Sequence, residues 1–193
     1  MLSAETPFVG REDALAFLQG IGPTHPPTVV VTGAEGIGKT RLVQHHLGYA
    51  TDAHGGRVLW CKMEDALRTE EALHRITSTL DLQLARSSDD DSVAIIGELL
   101  SKLCPLSLVL DHVDPLVVAE VLQWADRWTS QEARLRVLVT AREVLVPQDR
   151  IVHLPLRPLR LPPRTSGGAT DVLRAEAAQL FVARAQRAVP RWQ

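Results

Sequence analysis

The stretch TVVVTGAEGIGKT, residues 28–40, constrains the fold more than any other part of this chain. Its first five residues form a run rich in β-branched side chains, which is typical of a strand buried in a parallel sheet. A glycine-spaced turn follows, and a segment with helical periodicity begins at Lys39. The spacing Gly33-x-x-x-x-Gly38-Lys39-Thr40 is that of a P-loop, a turn that holds nucleotide phosphates. Strand, turn and helix together predict an α/β domain.

The chemistry of phosphate binding explains each position of this turn. Glycines allow the backbone angles that direct several N–H groups at one anion, and the helix N-terminus adds partial positive charge. Lys39 would contact the β- and γ-phosphates, and Thr40 would offer its hydroxyl to Mg²⁺, which prefers hard oxygen ligands. About one in a thousand sequences of this length and composition would contain the pattern by chance. We therefore favour a phosphate site over a plain glycine turn.

Composition indicates one domain with a sizeable core and gives little support to several other classes of protein. The chain has 193 residues, of which 45% are hydrophobic. A net charge of −2 and an aromatic content of 4% do not suggest direct nucleic-acid binding or a membrane surface as partner. Cys61 and Cys104 lie in or beside apolar runs, and we expect free thiols. The N-terminus lacks the features of a signal peptide and no apolar run approaches the roughly 20 residues of a membrane span, so we expect a cytoplasmic location.

Strand-like and helix-like segments alternate along the chain. A helix is expected after the acidic pair Glu12-Asp13, and a loop is expected at 157–171. Thr69 is a candidate N-cap, as is Asp91 or Ser92, and Pro115 is expected to start a helix. This alternation predicts a parallel sheet with helices on both faces. The predicted strands are 28–32, 55–63, 106–114, 135–143 and 150–156, and the predicted helices after the P-loop are 39–49, 69–84, 91–103, 115–128 and 172–188.

Polar clusters follow four of the predicted strands. They are Gly33–Thr40, Lys62–Asp65, Asp111–Asp114 and Thr140–Arg142. In open parallel sheets, ligands bind at the carboxyl ends of the strands. We therefore expect these four clusters to converge on one site.

Two of these clusters supply candidates for catalysis. Asp111 directly follows an apolar strand and would hold Mg²⁺ and its water shell, rather than only cap the next helix. Asp114 and His112 are candidates to orient or deprotonate an attacking water, although Asp114 could equally cap the helix or form a loop salt bridge. Arg142 could reach a γ-phosphate and sense it, or stabilise developing charge, the alternative being a surface arginine.

Taken together, FVGRE at 8–12, GAEGIGKTRL, LVLDHVD, LVTAR and HLPLRPL resemble the nucleotide-binding domain of signal-transduction ATPases with numerous domains (STAND ATPases), which include NB-ARC proteins. The segment EAAQLFVARAQRAVP is most similar to the branch found in large actinobacterial transcriptional regulators. The resemblance covers roughly residues 7–190. It implies a three-layer P-loop NTPase fold with a five-stranded parallel sheet in the order 5-1-4-3-2.

The resemblance also implies a set of site residues for ATP or ADP and Mg²⁺. Thr40 and Asp111 correspond to the Mg²⁺ positions, and Arg142 to a sensor arginine. Lys39, Asp111, Asp114 and Arg142 form the expected catalytic set. The expected nucleotide-binding residues are Phe8, Val9, Gly10 and Arg11 on the adenine side, Gly33, Glu35, Gly36, Ile37, Gly38, Lys39, Thr40 and Arg41 around the phosphates, and Pro155 after the fifth strand.

The resemblance implies that residues 1–193 form a single domain. We expect it to consist of an N-terminal helix with the adenine-side segment (1–25), a core (26–156), a loop (157–171) and a C-terminal helix (172–190). Family members continue into a helical subdomain, a winged helix and a sensor region. We therefore expect an excised or minimal nucleotide-binding domain whose partners are such domains, with possible nucleotide-dependent self-association. His112 stands where plant and animal members have a second Asp, and Asp114 stands where related bacterial proteins often have Glu. Both departures indicate slow hydrolysis.

Three functions are compatible with these patterns. The first is an ATP/ADP switch in signalling or transcription regulation, with slow Mg²⁺-dependent hydrolysis. The second is a P-loop phosphotransferase, which would need an arginine-rich acceptor site and leaves FVGRE without a role. The third is a non-catalytic interaction module with a structural P-loop, against which the intact Lys39, Thr40 and Asp111 argue. We favour the switch.

Overall fold

The computed structural model describes residues 8–21, 28–54, 56–83, 88–144, 150–162 and 169–189. The expectations for residues 1–7, for parts of the loops around 22–27, 84–87 and 163–168, and for Pro190 lie outside these residues.

Five strands form one sheet in which each neighbouring pair is parallel. The strands are β1 (Thr28–Thr32), β2 (Arg57–Lys62), β3 (Leu106–Val113), β4 (Leu135–Ala141) and β5 (Ile151–Pro155). Their order in the sheet is β2-β3-β4-β1-β5, which is the predicted order 5-1-4-3-2 counted from the other edge. The predicted fold class is therefore confirmed.

Helices cover both faces of the sheet because side chains of the central strands alternate between two cores. Val29 and Val31 of β1 pack in one core, and Val30 packs in the other. The helices are α1 (Glu12–Gly20), α2 (Lys39–His54), α3 (Thr69–Thr79), α4 (Asp89–Leu103), α5 (Val118–Gln131), α6 (Ala169–Leu173) and α7 (Glu176–Ala188). The first core is shared with α1 and α2, and the second with α3, α4 and α5.

Several helix boundaries differ from the sequence predictions for local reasons. Helix α4 begins at Asp89, because the Ser88 hydroxyl accepts a hydrogen bond from Asp91 N at 3.2 Å and acts as the N-cap. Helix α3 begins at Thr69, so Arg68 and not Thr69 is the N-cap residue. Helix α2 continues past Gly48 to His54.

The C-terminal segment forms two helices where one was predicted. Ala175 has an extended backbone, with φ −76° and ψ 133°, between α6 and α7. This break lets the Glu176 carboxylate accept a hydrogen bond from Arg160 N at 3.0 Å. Helix α6 begins at Ala169, inside the segment predicted as a loop.

Candidate functional site

The P-loop lies between β1 and α2, as its sequence predicts, and its glycines have backbone angles that other residues rarely adopt. Gly33, Gly36 and Gly38 have φ values of 147°, 72° and 103°. At Gly33 a Cβ atom would also lie 2.8 Å from the carbonyl oxygen of Leu156. The Gly33 N–H donates to the Arg142 carbonyl at 3.1 Å, so the loop begins in contact with the segments after β4 and β5.

Lys39 is folded back onto this loop. Its Nζ donates to the carbonyl oxygens of Gly33 at 2.8 Å and Ala34 at 3.0 Å, and the residue is only 8% exposed. Burial and then the charge of Arg142 lower the pKa of Lys39, while Asp111 and Glu35 oppose this shift. The positive side chains of Lys39 and Arg142 therefore lie close enough to repel each other beside the P-loop. An anion bound between them would favour the charged form of Lys39.

Asp111, at the end of β3, is joined to the first turn of α2. The Thr40 hydroxyl donates to Asp111 Oδ1 at 2.8 Å, across 71 residues of sequence. The Thr140 hydroxyl donates to the same oxygen at 2.6 Å. Asp111 is 2% exposed, and these donors satisfy part of the hydrogen-bonding demand of a buried carboxylate.

His112 lies in an irregular part of β3. Three steps along β3 from Leu110 to Val113 match two steps along β4, so β3 contains one extra residue here. His112 has φ 63°, and its N–H donates to Thr140 Oγ1 at 2.9 Å. Its Nδ1 lies 3.2 Å from Asp111 Oδ2 and 3.6 Å from Glu64 Oε1. The bulge thus directs the imidazole to a position between two carboxylates.

Arg142 lies just after β4, beside the P-loop strand. Its Nη2 lies 3.1 Å from Glu35 Oε2, and both side chains are mostly exposed. An exposed ion pair of this kind contributes little to stability. A phosphate group could therefore replace Glu35 as the partner of Arg142.

The Asp114 carboxylate is engaged in the turn before α5. Its Oδ1 accepts a hydrogen bond from Leu116 N at 2.9 Å, and its carbonyl accepts one from Val117 N at 3.1 Å. This turn explains why α5 begins at Val118 and not at Pro115. The water-activating role of Asp114 stays a prediction.

The segment that the resemblance predicts to contact adenine lies against α2 and the P-loop. The Phe8 ring stacks on His45 with centroids 4.0 Å apart and an interplanar angle of 14°. Burial and then the nearby Arg41 lower the pKa of His45, which favours the neutral ring. Arg11 donates to the carbonyl oxygens of Arg157 and Ile37, the latter at 3.0 Å.

The other predicted residues lie at the borders of this site. Gly10 is buried, whereas Val9 and Arg41 are half-buried. Pro155 ends β5, pairs with Thr32 of β1 and is exposed. The structure thus brings the phosphate and Mg²⁺ candidates together and places the adenine-side residues along one border.

Sequence reasoning missed two contributors to this site. Thr140 was recognised only as part of a polar strand end, and its contact with Asp111 requires β4 to lie beside β3. His45 had no distinguishing signal in the sequence. The four-residue spacing from Arg41 places it one helical turn further along α2, but its partner Phe8 is 37 positions away.

The residues present fit a magnesium nucleotide. Mg²⁺ keeps several water ligands and typically needs only one or two protein oxygens, which Thr40 and Asp111 would be placed to supply. Within the described ranges, no group of three or more His, Cys, Asp or Glu side chains is arranged to hold a metal by itself. None of the helices in those ranges is both long and apolar enough to span a bilayer. The described cysteines, Cys61 and Cys104, are free thiols, as expected.

Comparisons with known proteins identify the fold. No protein-family model matches the chain, and no curated protein matches it. Among solved structures, Cdc6p from Pyrobaculum aerophilum matches 79% of the chain with 14% identity and a TM-score of 0.56, and the chain spans 47% of that protein. This similarity agrees with a P-loop NTPase α/β fold.

Two further structures are similar at lower TM-scores. PH0952 from Pyrococcus horikoshii, a STAND protein with a tetratricopeptide repeat sensor, has a TM-score of 0.47 and 21% identity over 78% of the chain and 24% of its own length. PCH-2 from C. elegans has a TM-score of 0.44 and 18% identity over 75% of the chain and 40% of its own length. The chain spans less than half the length of each of these three proteins.

Proposed function

We propose that this chain is the adenine-nucleotide-binding switch domain of a STAND-type signalling or transcription-regulatory ATPase, with slow Mg²⁺-dependent hydrolysis. The observation that carries the proposal is the hydrogen bond of 2.8 Å between Thr40 and Asp111, next to a lysine that lies on the P-loop. A structural P-loop would not require a buried carboxylate from another strand at that hydroxyl. The assignment to the STAND class rests on the sequence resemblance.

Each group at the site has a role in this proposal. The P-loop N–H groups and Lys39 hold the β- and γ-phosphates, and Arg142 exchanges Glu35 for the γ-phosphate. Thr40 and Asp111 hold Mg²⁺, which when bound neutralises phosphate charge. Thr140 fixes the Asp111 carboxylate through its bond of 2.6 Å. The site lacks a carboxylate directly after Asp111, where His112 stands, which supports slow rather than rapid hydrolysis.

The stacked pair Phe8 and His45 supports an adenine site on the border of the domain. His45 lies six residues after Lys39, or about 9 Å along the helix axis. A flat pair of rings offers a surface on which a base can stack. Adenine, rather than guanine, follows from the resemblance of FVGRE to the segment that contacts adenine.

The surface of α7 supports the proposal that further domains are partners. Phe181 is 66% exposed and Leu173 of α6 is 49% exposed. Large apolar side chains exposed on adjoining helices are candidates for an interaction site. A helical subdomain packed there would complete the base site, and nucleotide-dependent self-association would follow from its movement.

The nucleotide bound after native purification tests this function. We expect ADP to be released on denaturation and identified by chromatography, because a switch rests with its product bound. In single-turnover assays, the nucleotide-free protein should convert ATP to ADP and phosphate slowly, only with Mg²⁺ and without an added acceptor. Lack of binding of any adenine nucleotide would favour the interaction module, and transfer of phosphate to an acceptor would favour a phosphotransferase.

A further inference from the structure

Arg11 makes contacts that differ from those expected of a residue that packs on adenine. Its guanidinium donates to two backbone carbonyls, those of Ile37 in the P-loop and Arg157 after β5. These partners are 26 and 146 residues away in sequence. The backbone of Arg11 also has φ 72°, a conformation unusual for a residue with a side chain, directly after Gly10 at φ 70°. The chain therefore adopts a sparsely populated conformation where the guanidinium reaches two separate segments.

The contact with Ile37 fixes the orientation of one peptide group of the P-loop. In a trans peptide, the carbonyl of residue 37 and the N–H of residue 38 lie in one plane and point in opposite directions. A donor that holds the Ile37 carbonyl therefore directs the Gly38 N–H away from Arg11. In P-loops, such backbone N–H groups hold the phosphates.

The contact with Arg157 leads to the start of α7. Arg160 N donates to Glu176 Oε2 at 3.0 Å, Arg160 Nη2 lies 3.2 Å from Glu176 Oε1, and Ala177 N donates to the Arg160 carbonyl at 3.1 Å. The Glu176 side chain is 18% exposed, and a Cβ at Gly10 would lie 3.0 Å from its Cδ. The first turn of α7 is therefore packed against the backbone that precedes Arg11.

The rest of α7 lies at the surface of the domain. None of its described side chains is buried. The position of a helix without a buried apolar face depends more strongly on its polar attachments than that of a core helix does. The position of α7 thus depends on the same segment, residues 157–160, that Arg11 contacts.

We propose that Arg11 is a positioning residue: it orients the Ile37–Gly38 peptide toward the nucleotide phosphates and connects that peptide to the start of α7. This inference rests on the proposed function and assigns Arg11 to phosphate binding through the backbone, not to contact with the base. We expect phosphate to draw Lys39 away from the carbonyls of Gly33 and Ala34, and the loop that Arg11 holds to change with it. The change reaches residues 157–160 and α7.

Ligands with and without a base separate the two roles of Arg11. We would measure displacement of a fluorescent ADP analogue by ADP, by magnesium pyrophosphate and by adenosine, for the wild type and for Arg11→Gln. Arg11→Gln should leave the Ile37–Gly38 peptide without its fixed orientation. The affinities for ADP and pyrophosphate should then fall by a similar factor, roughly tenfold for one charge-assisted hydrogen bond. The affinity for adenosine should not change. Arg11→Lys should restore part of the loss, since an ammonium is still a charged donor but lacks the planar fork of the guanidinium, which reaches two separate segments.

Arg136→Gln is a matched control, because Arg136 also donates to a backbone carbonyl, that of Ile21 at 2.9 Å, at the opposite end of the sheet. It should leave all three affinities unchanged. A loss in Arg11→Gln for ADP and adenosine but not for pyrophosphate would overturn the proposal in favour of base contact. Equal affinities in wild type and Arg11→Gln would also overturn it. Failure of the wild type to bind ADP would instead contradict the proposed function.

Amide hydrogen exchange tests the connection to α7. ADP with Mg²⁺ should change exchange at residues 157–189 of the wild type. In Glu176→Ala the ADP affinity should stay within about twofold, because Arg11 and Ile37 are unaltered, but the change at α7 should disappear. An unchanged response of α7 in Glu176→Ala would refute the connection, as would a wild type that binds ADP without any response there.

Discussion

The Asp111 carboxylate is the most constrained acidic side chain of the site. Thr40 and Thr140 both donate to its Oδ1, and His112 lies beside its Oδ2. In the proposed function, Asp111 would hold Mg²⁺ from this fixed position. Replacement of the carboxylate by an amide keeps an acceptor for Thr140 but removes the negative charge.

We predict that Asp111→Asn lowers the apparent affinity for Mg²⁺ in ADP binding by about 10- to 100-fold, because the groups around the metal lose a charged partner. ADP binding should then respond less to the Mg²⁺ concentration. Calorimetric titrations with ADP over a range of Mg²⁺ concentrations measure this directly. Asp126→Asn, which removes the carboxylate of an ion pair with Arg150 at 3.1 Å, is the control and should have no effect. A Mg²⁺ requirement unchanged by Asp111→Asn would remove Asp111 from the metal site.

Arg142 is predicted to discriminate between ATP and ADP. Because only ATP has a γ-phosphate, Arg142→Ala should weaken ATP binding by about tenfold and ADP binding by much less. Glu35→Gln removes the competing partner at 3.1 Å and should tighten ATP binding slightly. Competition assays with both nucleotides measure the ratio. Equal losses for ATP and ADP in Arg142→Ala would refute a sensor role.

The sequence could nominate the residues of the proposed phosphate site because their spacing is local, and their phosphate-binding role stays a prediction. Lys39 and Thr40 lie in one short pattern, and Asp111 is marked by the apolar strand before it. Thr140 and His45 could not be predicted, since their roles depend on contacts with Asp111 and Phe8 that only tertiary structure creates. The carbonyl partners of Arg11 could not be predicted either, because these contacts also exist only in the tertiary structure.

At the scale of elements, the contact between α4 and α5 depends on one glycine. A Cβ at Gly97 would lie 2.7 Å from Cδ1 of Trp128, whose Nε1 donates to the Val93 carbonyl at 2.8 Å. Trp128 is 1% exposed and has little room to move. The close approach of α4 and α5 therefore requires a residue without a side chain at position 97.

Gly97→Ala should lower the free energy of unfolding by about 1–3 kcal/mol, because overpacking outweighs the gain in helix propensity. Gly48→Ala in α2 is the control: apart from its chain neighbours and the nearby backbone of its own helix, no atom lies within 4 Å of the added Cβ, so it should be neutral or stabilise by about 0.5–1 kcal/mol. Urea denaturation of both variants gives the two values. A Gly97→Ala protein as stable as the wild type would show that the helices can separate without cost.

Strands were easier to predict than helix ends. Apolar β-branched runs such as TVVVT are local and are buried by both layers of helices. The start of α5 was not predicted because a turn precedes the helix. In this turn the Asp114 carboxylate accepts a hydrogen bond from the N–H of Leu116. The break before α7 was not predicted because Glu176 pairs with Arg160, which lies 16 residues earlier.

At the scale of the whole molecule, the parallel order of the strands brings the site together. The P-loop follows β1, Asp111 lies in the last part of β3, and Arg142 follows β4, all at the carboxyl edge of one sheet. The alternating pattern predicted a parallel sheet and this convergence, whereas the strand order followed from the resemblance. The position of α7 could not follow from either, because it depends on contacts of Glu176 with residues 10 and 160.

Titration of the nucleotide-free protein with ADP and Mg²⁺, in parallel with Lys39→Ala, tests the central claim most directly. The wild type should bind ADP in a Mg²⁺-dependent manner. Lys39→Ala should lose about 10- to 100-fold in affinity, because its charge-assisted contact with the β-phosphate of ADP is removed. Lys102→Ala, an exposed lysine in the last turn of α4, should bind as the wild type does. Equal affinity of Lys39→Ala and wild type, or no binding by the wild type, would contradict the account.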